Sequence, residues 1–248
     1  MARKRAITRL FAGKKKAAVV ESKKQLKHLL WAASRGKTGN RTLCVVWFLF
    51  GSGLRVNEVA QLTVADVIHE SGQIKDSFTI RGTTTKTSKP RVGYIVARGH
   101  KQAVSDWITQ RLEEGAMTSG AAEFGGLKPD SPLILSKRGK SWRTLAFNEK
   151  RYKDKDGNER STLVCSSLEN LIRNLFKSAG LHGGSSHSGR RTLATWLYRK
   201  GYDLELIQDI LGHESADMTL EYIDADVKQI KTALNSIWSG VELPTNKE

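Results

Sequence analysis

The eight residues from Leu43 to Phe50, LCVVWFLF, form the longest apolar run in the chain. A helix that is apolar on every side has no face to give to water, so it has to sit inside a core with other elements around it. The run is far short of the ~18 residues a membrane span needs. Gly51 and Gly53 end it, and GLRVNEVAQL then opens a short helix with Arg55 at its start. Upstream, Leu26, Leu29, Leu30 and Ala33 mark one face of an amphipathic helix running from Ser22 to near Gly36. Downstream, Val104, Trp107, Ile108 and Leu112 share a helical face. Val164, Leu168, Leu171, Ile172, Leu175, Phe176 and Ala179 then keep helical spacing until Gly180 stops them. Further helices are expected at 187 to 200, 203 to 211 and 215 to 224.

Three short segments, VADVIHE, DSFTIRG and RVGYIVA, are rich in β-branched residues and predict a small antiparallel sheet. The link between the last two, GTTTKTSKP, is a polar turn with Lys86 near its tip. Residues 115–132 read as a surface loop. The fold class is therefore mainly α with a small three-stranded antiparallel sheet (α+β), and the 248 residues suit one compact unit with a flexible end.

Charge narrows the partners. Against 25 Asp and Glu stand 41 Lys and Arg, a net charge of +16 that favours polyanions, of which nucleic acid is the commonest. Residues 203–248 hold ten acids and three bases, so a basic body carries an acidic tail. Residues 1–16 hold seven bases and no acid, as a solvated tail or an arm on DNA phosphates would. Residues 137–160, with nine bases and four acids around Trp142 and Tyr152, read as a charged loop or a second DNA-facing surface. Cys44 and Cys165 have no CxxC partner, which argues against a disulfide framework or a zinc site and fits a reduced cytoplasm. The basic N-terminus has no apolar stretch of the secretory kind. Near the end, Val227, Ile230, Leu234, Ile237 and Trp238 make an apolar stripe that either packs back on the body or docks on a neighbouring copy. The expected division is an arm at 1–19, a main domain at 20–226, and an exchangeable helix and tail at 227–248.

Between Gly183 and Tyr222 the chain places His187 three residues before Arg190, a shared helix face, followed by Gly212-His213 and Tyr222. Cutting a phosphodiester without metal needs an attacking group, charge on the non-bridging oxygens and a proton for the leaving oxygen. Arg55 and Arg190 suit the oxygens, because a guanidinium stays charged and grips phosphate bidentately. Lys86 on a hairpin can act as general acid, and Tyr222 can attack. Each residue alone has an ordinary reading: Lys86 solvated, His213 a helix cap, Tyr222 half-buried packing. No Asp, Glu and His cluster with metal-ligand spacing appears.

Taken together, Gly53-Leu54-Arg55 with Glu58, Lys86 with Arg91 five residues on, His187-x-x-Arg190, Leu211-Gly212-His213 and Tyr222 resemble the tyrosine recombinase (phage integrase) family in order and spacing, over roughly residues 20–238. The resemblance implies a mainly helical catalytic domain, Arg55 and Arg190 on the scissile phosphate, Lys86 as general acid, His187 and His213 in support, and Tyr222 as nucleophile. The intermediate would be a 3′-phosphotyrosine beside a free 5′ hydroxyl, with neither cofactor nor metal. It further implies double-stranded DNA as partner, a tetramer on paired sites, an exchanged C-terminal helix and a nucleoid-associated protein, with a DNA-bending accessory as a possible helper. Two departures stand out. Gly189 replaces the family's usual Leu before the second Arg, which is expected to loosen the helix start, and only some 50 residues precede Arg55, as in small forms without a core-binding domain. A relaxing topoisomerase and a silent DNA-binding regulator are the alternatives.

Overall fold

The computed structural model describes residues 16–82, 89–153, 157–213 and 215–223. Residues 1–15 of the expected 1–19 arm, Lys86 and the stripe from Val227 to Trp238 lie outside these residues. Helix α1 (Lys23–Ala33) starts where the Ser22 hydroxyl accepts from the Gln25 N–H, and it turns Leu29 and Ala33 inward. Helix α2 (Gly39–Gly51) is the apolar run, with Cys44, Val45, Val46, Phe48, Leu49 and Phe50 all buried. Helices α1, α5 (Arg98–Glu113) and α7 (Ser188–Arg199) pack against it. On α5, Trp107 is buried and its indole N–H donates to the Leu133 carbonyl at 2.8 Å. Residues 17–21 strap α7 from outside, Val20 N–H donating to Thr192 Oγ1 at 2.9 Å and Trp196 Nε1 to the Val20 carbonyl at 3.0 Å.

The fold class is as expected, mostly helical with small antiparallel sheets, but the strands are arranged differently. Between α3 (Val56–Ala60) and β1 (Ser77–Ile80), the sequence VADV forms a helical turn, α4 (Val64–Val67), instead of a first strand. Thr63 and Asp66 make reciprocal capping bonds around its start, and that outweighs the β preference of two valines. Among the described residues, β1 therefore pairs with β2 (Arg91–Tyr94) alone, Ile80 opposite Arg91. Much of the stretch from 137 to 160 is strand rather than loop. They contribute to two further hairpins, β3 (Ser136–Arg138) with β4 (Ser141–Arg143), and β5 (Asn148–Lys153) with β6 (Glu159–Val164). All six residues of β5 are exposed, so the hydrophobic alternation that marks a half-buried strand was never written into it. Helices α6 (Ser166–Ser178), α8 (Leu204–Leu211) and α9 (Ala216–Leu220) follow.

Gly189 has a packing reason that outweighs its helix propensity. A Cβ there would lie 2.5 Å from the Leu49 carbonyl oxygen, so only glycine lets the start of α7 close on the end of α2. Gly189→Ala is expected to cost about 1–3 kcal/mol, as overpacking does. A urea titration reads this as an earlier midpoint with unchanged slope.

Candidate active site

Arg55 sits at the N-terminus of α3, where backbone and side chain both turn to Glu58. Its N–H donates to Glu58 Oε2 at 2.7 Å and its guanidinium to Oε1 at 2.9 Å. Arg91, at the start of β2, donates to Glu58 Oε2 at 2.6 Å. Glu58 is 1% exposed. Burial alone would raise its pKa, yet the charges of Arg91, Arg55 and Arg190, with the Arg55 N–H, hold it below its ordinary value of 4.5. One carboxylate thus holds two guanidiniums with a third close by, leaving an excess of positive charge that suits phosphate.

Arg190 lies on the first turn of α7 and is wholly buried. It donates to the carbonyls of Gly53 and of Leu211 and to His213 Nε2, the last at 2.9 Å. Burial, then neighbouring Arg55, lowers its pKa to about 9, so it stays charged at neutral pH. A guanidinium has no acceptor, so Nε2 of His213 accepts, and its Nδ1–H donates to Thr219 Oγ1 at 2.9 Å. His213 follows Gly212, which caps α8 at φ 61° and ψ 52°. A Cβ on Gly212 would also lie 2.2 Å from Arg91 Cδ, so glycine there serves the turn and lets Arg91 pass.

Tyr222 lies just past α9, half-buried. Its ring is 4.8 Å from that of His213, and the Arg190 guanidinium stands 5.6 Å over it. Its hydroxyl is 3.4 Å from Nδ1 of His187, the N-cap residue of α7. Desolvation against its neighbours, with Arg190 and Arg55, lowers the His187 pKa. Arg55, Arg91, Gly212 and His213 also line a cleft of about 560 Å³ between β2 and α8. Of the six residues singled out from the sequence, Arg55, His187, Arg190, His213 and Tyr222 come together here, and Lys86 lies outside the described residues. Among the described residues no cluster of three or more His, Cys, Asp or Glu could hold a metal, and no helix is long and apolar enough to cross a membrane.

Glu58 and Arg91 stand in the sequence pattern without a role, and Thr219 does not stand in it at all. Arg91 could have been found as the base closing the Lys86 hairpin, but nothing local announces Thr219 as the partner of His213.

Burial, followed by Arg190, Arg55 and Arg91, lowers the His213 pKa to about 3, and burial alone takes His100 to about 3. Both are neutral when folded at pH 5, whereas an unfolded histidine, with its ordinary value of 6.5, is largely protonated there. The unfolded chain then binds more protons, so stability falls as pH drops from 6.5 towards 3, by up to ~1.4 kcal/mol per pH unit for each histidine. Urea midpoints measured down that range should fall, and His100→Phe should flatten the decline.

The structural comparisons agree on a class. The chain has the fold of tyrosine recombinase catalytic domains. It superposes on the crystal structure of XerA recombinase with a TM-score of 0.58 at 23% identity, covering 92% of this chain and 67% of that one. A XerH site-specific recombinase bound to its palindromic difH substrate gives 0.59 at 20%, covering 92% and 54%. The sequence is more specific: residues 21–229 match the phage integrase family, and the chain belongs to it. Among curated relatives, the tyrosine recombinase XerC of Caldanaerobacter subterraneus subsp. tengcongensis is 27% identical over 87% of this chain and 48% of its own length. XerA of Pyrococcus furiosus is 24% identical over 86% and 59%. The chain thus spans roughly half the length of the relatives it matches.

Proposed function

We propose that this chain is a site-specific recombinase that cuts and rejoins double-stranded DNA through a 3′-phosphotyrosine. The observation carrying this reading is the convergence of Arg190, His187 and His213 on Tyr222, with Arg55 close enough to lower the pKa of all three, in a chain of the phage integrase family. Tyr222 Oη attacks the scissile phosphorus, and its proton passes to His187 Nδ1. The bond to the 5′ oxygen breaks, and Lys86 gives that oxygen its proton. In the reverse step a 5′ hydroxyl attacks the phosphotyrosine and frees the phenol, so no bond energy is lost and no ATP is needed. The two arginines stabilise charge on the non-bridging oxygens. Tyr222 covers Arg190 in this conformation, so phosphate reaches that guanidinium only as the phenol swings aside. His213, neutral and accepting from Arg190, orients it.

A tetramer on paired sites, the basic arm on the DNA backbone and an exchanged C-terminal helix belong to the same proposal, as does a role for a DNA-bending helper. The DNA complexes of XerH and of the Tn1549 transposon integrase, both solved with neighbours of this fold, support DNA as the partner. The test is incubation with nicked duplexes carrying candidate sites, with EDTA present. A covalent protein–DNA adduct mapping to Tyr222 is expected. An adduct that forms only with added metal, or maps elsewhere, would falsify the reading. Relaxation of any supercoiled plasmid without site dependence would favour a topoisomerase instead.

A further inference from the structure

Among the described residues, the β5–β6 ribbon has no core beneath it. Two six-residue strands pair through Asn148↔Val164 and Lys153↔Glu159, about 20 Å of ladder standing off the body. A lone two-stranded ribbon is marginal in water, so its persistence calls for something to lie against. Its root is firmly tied. Asn57 Nδ2 donates to the Leu163 carbonyl at 2.9 Å, and Asn57 Oδ1 accepts from the Cys165 N–H at 2.9 Å. Asn57 stands two residues from Arg55, which fixes the ribbon relative to the guanidiniums.

Its two faces differ in chemistry. Side chains alternate along a strand, so Glu149, Arg151 and Lys153 share one face with Glu159, Ser161 and Leu163. There charge is balanced: Arg151 lies 3.6 Å from Glu149, and Lys153 stands opposite Glu159 in register. The other face takes Asn148, Lys150 and Tyr152 from β5, with Val164 opposite Asn148 and Thr162 opposite Lys150. That set holds no carboxylate, and four of its five side chains can donate a hydrogen bond.

We infer that the ribbon is a DNA-docking arm that lays its Asn148, Lys150, Tyr152 and Thr162 face into the major groove beside the phosphate held by Arg55. The major groove admits a two-stranded ribbon, and a donor-rich face without acids fits its acceptor edges and flanking phosphates. For its partner this inference rests on the recombinase reading.

The test compares three proteins on a short duplex and on one extended by flanking DNA, in a salt titration. Lys150→Ala with Tyr152→Ala should bind the extended duplex about tenfold more weakly than wild type, lose the gain that the flank provides, and lower the salt slope by about one. Arg151→Ala with Lys153→Ala removes more charge from the opposite face and should change affinity less. Equal binding by the first variant, or a larger loss in the second, overturns the inference, because affinity would then ignore the ribbon or follow net charge alone. Covalent capture of a nicked duplex separates the two readings. Ribbon-dependent binding without any capture by wild type removes the recombinase and leaves the ribbon, whereas capture with ribbon-independent binding does the reverse.

Discussion

Tyr222→Phe is expected to abolish covalent capture of a nicked duplex, a loss of at least about a thousandfold, while DNA affinity stays within about twofold. The substitution removes only Oη. The ring keeps its place beside His213 at 4.8 Å and under Arg190 at 5.6 Å. The hydroxyl's contact with His187 is long, at 3.4 Å, and lies at the surface, so its loss should cost under ~1 kcal/mol. No other tyrosine stands beside both histidines: Tyr94 lies on β2, Tyr152 on the outer ribbon, and Tyr198 and Tyr202 near the end of α7. An adduct that still forms with the Phe protein would show that another group attacks.

The second large effect concerns Glu58. Glu58→Ala should destabilise the protein by about 3–5 kcal/mol, the range for removing one partner of a buried charge pair. The consequence is sharper here than for a simple pair, because Arg55 and Arg91 would face each other, with Arg190 nearby, and no carboxylate between them. Urea titration should show the loss, and capture should fail even where the protein remains folded, since Arg55 loses the bonds that aim it. A variant within about 1 kcal/mol of wild type would mean that solvent already screens the cluster. The acid limb gives an independent check. The folded pKa of Glu58 is depressed, so its contribution is complete above its ordinary 4.5 and drains away as pH falls through the lower folded value. Glu58→Gln should remove that part of the acid sensitivity.

Much of this was legible in the residues. The buried helix at Leu43 to Phe50, the amphipathic helices beside it and the turn at Gly212 follow from local hydrophobicity and backbone preference, which a linear reading can see. The misread stretches share a cause. Hydrophobic alternation reports burial, not strand geometry, so the solvated β5–β6 ribbon looked like a loop. The valines of VADV suggested a strand, although Thr63-x-x-Asp66 carried the capping signature of a helix start. Gly189 looked like a mild weakness because the Leu49 carbonyl that demands it lies 140 positions away in the chain.

What the sequence by itself determined is the inventory: a polyanion-seeking body, two arginines, two histidines and a tyrosine in a fixed order, and the helices that carry them. Only the tertiary structure decided how those groups are held. It turned Arg190 inward onto the Gly53 and Leu211 carbonyls, set the tautomer of His213 through Arg190 and Thr219, and placed Glu58 between Arg55 and Arg91. These outcomes depend on which distant segments meet and on how completely water is driven from between them, and neither is encoded in the spacing of neighbours along the chain.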